Sequence, residues 1–233
     1  DFETAKKCGS CHPGIYQQWK QSMMSQAYTH HWDEIEYFNL AVPHSVAKPD
    51  LKGPVDGCNG CHAPLAFIGG KQFPPPRPSE KSMANESVSC EVCHLTQSAQ
   101  SDPPFNFSYL IRPGMTKYAV RTPTVESPAH KIVTTDFHKS TELCGNCHNE
   151  KNPFDVWVKS TQLEWKEGPY SKEGVYCQDC HMPRMDEAVK VSSRPPWPGA
   201  ATSSSRSRAA SRTSGTRCAG RGRRGRCARR PAS

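Results

Sequence analysis

A chain of 233 residues has the length for one or two ordinary domains. With only 35% hydrophobic residues, 21 prolines and a mean hydropathy of −0.74, it cannot fill an interior with apolar side chains alone. Its best apolar run, Ala63 to Ile68, is far too short to cross a bilayer. The formal charge of +8 divides into +11 for residues 192–233 and −3 for residues 1–191, so overall basicity gives no reason to expect a nucleic-acid-binding body.

The chain opens on a short run, Cys8-Gly-Ser-Cys11-His12. Residues 14–31 follow, with Ile15, Tyr16, Trp19, Met23, Met24, Ala27 and Tyr28 at helical intervals, and are the best amphipathic helix candidate. The opening spacing returns at Cys58-Asn-Gly-Cys61-His62. Phe73-Pro74-Pro75-Pro76-Arg77-Pro78 must then be extended, because proline fixes its dihedral and lacks the helix donor. A third copy stands at Cys90-Glu-Val-Cys93-His94. Residues 101–128 are broken by prolines and suggest a short hairpin around Tyr109 to Tyr118. Short helices are predicted for Thr135–Cys147, running into a fourth copy at Cys144-Gly-Asn-Cys147-His148, and for Asn152–Leu163. The fifth copy is Cys177-Gln-Asp-Cys180-His181.

From Ser192 onward the composition changes: eleven arginines, no lysine and no acidic residue, against fifteen lysines and four arginines before it. Residues 1–191 read as one domain. Residues 192–233 read as an Arg/Ser/Ala/Gly-rich tail that is disordered, serving as an anion-binding segment or a linker, or that is an artefact such as a shifted reading frame. Cys218 and Cys227 lack the repeated spacing and are set aside as incidental.

Ten of the twelve cysteines and half of the ten histidines thus fall into five identical runs. Two thiols three apart with an adjacent imidazole are the attachment pattern of haem c: the cysteines form thioethers and the histidine reaches the iron. The pairs are Cys8 and Cys11, Cys58 and Cys61, Cys90 and Cys93, Cys144 and Cys147, and Cys177 and Cys180. The proximal ligands are His12, His62, His94, His148 and His181. Zinc bound by four thiolates would leave these histidines unexplained. Disulfides between cysteines three apart would close strained loops, and a thioredoxin-like pair needs a strand and helix absent from the pattern. The intervals between proximal histidines, 50, 32, 54 and 33 residues, alternate long and short, which suggests closely packed haem pairs.

Cys8 to Tyr28, reading CGSCHPGIYQQWKQSMMSQAY, resembles the opening of multihaem cytochromes of the cytochrome c-554 type. So do Phe137-His138-Lys139-Ser140 through His148 and the CQDCHMP run from Cys177 to Pro183. The resemblance covers roughly residues 5–185. It implies a mainly α fold with much irregular structure, few or no strands and haems forming the core, and largely bis-histidine ligation. Five haems require five partners, and His30, His31, His44, His130 and His138 are the five histidines left. Met24, where that family often has a distal histidine, Met115 and Met182 are weaker candidates.

Five haem c groups predict electron transfer between redox partner proteins, and a carrier rather than a catalyst. Propionates add to the acidity of residues 1–191, so lysine-rich partner surfaces suit docking. One alternative is an oxidoreductase acting on a small nitrogen or sulfur compound at one five-coordinate haem. The sequence has no CxxCK motif or evident acid–base set for it. Another is a subunit of an extracellular filament, self-associating through haem-exposed surfaces. No nucleic acid and no transmembrane segment are predicted. Because haem c is attached outside the cytoplasm, the chain is expected to be exported, periplasmic or extracellular, and Asp1 opening on a polar stretch reads as a processed or truncated start.

Overall fold

The computed structural model describes residues 2–31, 34–70, 72–122 and 126–182. The expected boundary at residue 191 and the tail lie outside these residues. The described residues are mainly helical and irregular, with a few short strands. The longest α-helix, Lys52–His62, has 11 residues. Prolines keep the helices short: a residue before proline is pushed out of helical geometry, and His12 (φ −117°, ψ 56°) and Ala63 (φ −138°, ψ 57°) both stand there. Helix Lys52–His62 therefore stops at its motif histidine, and the first motif is broken at His12.

Six strands form three separate two-stranded ladders. β1 (Thr96–Ala99) pairs antiparallel with β2 (Tyr109–Ile111), and β3 (Thr116–Ala119) pairs parallel with β4 (Lys131–Thr134). β5 (Asn149–Lys151) pairs antiparallel with β6 (Trp157–Ser160).

Four local expectations need correction. The hairpin expected at Tyr109–Tyr118 does not form: β2 turns back onto β1, and β3 pairs with a strand some fifteen residues downstream. Partner choice in a sheet follows packing more than local propensity. The helix expected over 14–31 breaks into Pro13–Lys20 and a 3-10 turn at Met23–Gln26, because the Ser22 and Ser25 hydroxyls turn back onto backbone carbonyls. Of Asn152–Leu163, only the end is helical, within Thr161–Glu167. Asn152 accepts from the amides of Phe154 and Val156 and turns the chain into β6. Thr135–Cys147 is likewise two pieces, a 3-10 turn at Asp136–His138 and the helix Glu142–His148.

The apolar core is small: Tyr28, Tyr37, Phe38, Ala63 and Ala84, with Val42, Val55 and Ala66 against them. The Tyr28 hydroxyl donates to Pro76 O at 3.0 Å, tying in the extended proline segment. Much of the remaining interior is polar but paired. Asn149 donates to Pro104 O and Gln162 Oε1 and accepts from Gln162 N, while Gln162 also donates to Thr141 Oγ1. Pairing is what makes such burial tolerable.

Two glycines on helix Lys52–His62 separate crowding from helix propensity. A Cβ on Gly60 would run into the Phe107 ring, whereas one on Gly53 meets nothing within 4 Å. Gly60→Ala should lower unfolding stability by about 1–3 kcal/mol, and Gly53→Ala should raise it by about 0.4–1 kcal/mol, both read by denaturant titration.

Candidate haem-attachment sites

On a helix, positions i, i+3 and i+4 share one face, so a Cys-x-x-Cys-His run presents two thiols and one imidazole to the same side. Helices Cys90–His94 and Cys177–His181 consist of the motif alone, while the second and fourth motifs close helices Lys52–His62 and Glu142–His148. The first motif straddles the break between Ala5–Gly9 and Pro13–Lys20.

All ten motif cysteines are unpaired thiols. Burial pushes Cys90 up to about 12 and Cys93 up to about 11, and raises Cys8 and Cys58 as well. A nucleophilic cysteine needs the opposite shift. Thiols of different motifs meet: Cys8 lies within hydrogen-bonding reach of Cys90, Cys61 of Cys147, and Cys144 of Cys177. In the second of these contacts Cys147 is raised and Cys61 lowered. The neighbouring motifs are therefore first with third, second with fourth and fourth with fifth. Only the last couple belongs to those that the interval pattern alone would suggest.

Three imidazoles are fixed by backbone carbonyls. His62 Nδ1 lies 2.8 Å from Ala27 O, His94 Nδ1 2.8 Å from Tyr118 O, and His138 Nε2 2.8 Å from Thr96 O. A carbonyl only accepts, so the proton sits on the named nitrogen and the lone pair on the other: Nε2 of His62 and His94, Nδ1 of His138. Desolvation holds His94 below its ordinary value although part of its ring surface is open, and holds His138 and His148 below theirs too, with Lys159 and His181 adding to the effect at His148. Neutral rings are the form a metal needs.

Two proximal histidines face distal candidates. The rings of His12 and His130 have centroids 6.3 Å apart and are inclined at 34°, and those of His94 and His138 are 6.1 Å apart at 36°. An imidazole nitrogen binds a metal at about 2.0 Å and lies about 1.1 Å from its ring centroid, so two rings sharing one metal ion stand roughly 6.2 Å apart. His130 Nδ1 is buried with no hydrogen-bond partner, a state that costs about 1–3 kcal/mol unless something outside the polypeptide satisfies it. Unpaired thiols, paired rings at this spacing and an orphaned buried nitrogen fit haem c.

The other candidates are placed differently. His30 and His31 are adjacent rings 4.3 Å apart, too close to flank one metal between them. His44 is exposed on helix Val42–Ala47, Met115 and Met182 are exposed, and Met24 is half-buried in the 3-10 turn. Among the described residues, no three His, Cys, Asp or Glu side chains converge as a zinc centre would require.

The residues between the cysteines were missed as structural determinants. Asn59 donates to the Tyr37 hydroxyl at 2.6 Å, Asn146 accepts from Ser108 Oγ at 3.1 Å, and Gln178 donates to the carbonyls of His138 and Ser140. Glu91 is buried against Lys117. The attachment spacing makes no demand on these positions. The available signal was the recurrence of amide or carboxyl side chains there.

Residues 7–95 match the family described as Cytochrome c554 and c-prime. The fold is similar to the crystal structure of a penta-heme cytochrome c552 from Thermochromatium tepidum, with a TM-score of 0.56 and 21% identity over 78% of this chain and 54% of that one. This chain thus spans about half the length of that cytochrome. No curated protein matches. The fold is that of a multihaem c-type cytochrome. Residues 7–95 are thus similar to the cytochrome c554 and c-prime family. Among the described residues no helix is long and apolar enough to cross a membrane.

Because His94 and His138 bind fewer protons folded than unfolded, their contribution to stability is complete above the ordinary imidazole value of 6.5 and is lost as pH falls below it toward the depressed values. In the chain before haem attachment, where these rings are not bound to iron, the melting temperature should fall between about pH 7 and pH 5. In His138→Ala that slope should be shallower.

Proposed function

We propose that the chain carries five covalently bound haem c groups and relays electrons between redox partner proteins, with no substrate chemistry of its own. The observation that carries this reading is the facing of His12 with His130 and of His94 with His138 at 6.3 and 6.1 Å. In it, the cysteine pairs of all five motifs hold the porphyrins, and His12, His62, His94, His148 and His181 are proximal ligands. His130 closes the first centre through its orphaned Nδ1, and His138 closes the third through its own Nδ1. His30, His31 and His44 remain the candidates for the other centres. When bound, the haems supply reversible one-electron chemistry, and two imidazoles per iron keep their potentials low. The number five is supported by the five motifs and by the penta-heme cytochrome of similar fold.

The polypeptide sets the order of neighbours. The meeting of Cys8 with Cys90, Cys61 with Cys147 and Cys144 with Cys177 supports grouping the first centre with the third, and the fourth with both the second and the fifth, rather than a relay in sequence order. Covalent attachment of haem c makes this an exported protein, periplasmic or extracellular, whose partners are other redox proteins.

Electron paramagnetic resonance of the matured protein tests the ligand assignment. His130→Ala should convert one centre from low-spin to high-spin ferric, and His138→Ala another. Spectra identical to those of the unaltered protein would contradict the assignment.

A further inference from the structure

Glu91 lies between the cysteines of the third motif and is only 2% exposed. Its Oε1 accepts from Lys117 Nζ, itself on a residue 9% exposed. A buried ion pair is tolerated when its remaining hydrogen-bonding capacity is met. Here Glu91 Oε2 accepts from Glu3 N at 3.3 Å, and Lys117 also donates to Gly114 O at 3.2 Å. The pair therefore ties together the third attachment helix, strand β3 and the segment leading into the first motif.

The next residue on β3 is Tyr118, whose carbonyl accepts from His94 Nδ1 at 2.8 Å. Ring and acceptor belong to two short elements, a five-residue helix and a four-residue strand. Glu91 and Lys117 link them one residue from the acceptor and three from the ring. Strand β4, paired with β3, ends at Thr134 and leads directly into the turn bearing His138. Movement of β3 would thus disturb both rings of the third pair.

We propose that the Glu91–Lys117 pair is a positioning device that holds the Tyr118 carbonyl on His94 and thereby keeps the third centre's potential low. This rests on the haem reading above. A hydrogen bond from the outer nitrogen of a metal-bound imidazole makes the ring a more basic ligand. A more basic ligand favours ferric over ferrous iron, so losing the bond raises the potential.

Redox titration of the full, matured chain tests this. Glu91→Gln with Lys117→Met removes the tether without changing net charge, and His138→Met marks the third centre by raising its potential. The component that moves in the marker variant should move upward in the double variant while the other components hold. If that component stays in place, with or without a drop in melting temperature, the positioning role is overturned. Should the double variant fail to mature, Lys117→Met alone, whose lost positive charge would by itself lower the potential, should still move the same component upward, and a component that stays or falls overturns the role. A wild-type chain that matures with no haem on the third motif overturns the haem reading there, and the proposal with it.

Discussion

A hydrogen bond from an imidazole nitrogen to a backbone carbonyl is the constraint on which this structure turns. It fixes at once the tautomer, the direction of the remaining lone pair and the plane of the ring, and it does so for His62, His94 and His138. Each acceptor comes from a distant stretch of chain: Ala27, Tyr118 and Thr96. The segments between the motifs therefore have a physical task, which is to bring a carbonyl to a ring. Short strands suffice for it. β3 presents Tyr118 O, Thr96 opens β1, and neither ladder needs to extend further.

The same economy explains the interior. The largest fully buried side chains include Asn59, Asn146, Asn149, Thr96 and Thr141 beside Leu65 and Leu95. Such a core gains little from apolar transfer, and much of its cohesion lies in paired polar contacts, which lose stability sharply when one partner is removed. Many of these contacts start between the cysteines of a motif. Asn59 reaches Tyr37, Asn146 reaches Ser108, and Gln178 reaches the segment just after His138. Attachment point and structural clamp are thus the same helical turn, so the geometry of one centre is transmitted to the fold around another.

The five repeated runs were legible because covalent attachment of haem would demand a fixed spacing. The proline-broken, mainly helical character was legible because Pro13 and Pro64 act locally on His12 and Ala63. Strand partners were not: nothing near Tyr109 says that it pairs with Ala99, or near Thr116 that it pairs with Lys131. Asn152-Pro153 carried a turn signal that the apolar spacing of the following residues obscured. His130 and His138 were legible as candidates only through a count of histidines. Their matching to His12 and His94 required coordinates, since ring separations depend on long-range folding. The hydrogen bond that reserves Nδ1 rather than Nε2 of His138 lies in the same class.

Intact-mass measurement with metal analysis on the chain matured in a host able to attach haem c bears most directly on this account. Five haem masses bound through ten thioethers, with five irons per chain, are the predicted result. Fewer adducts, or zinc in place of iron, would contradict it.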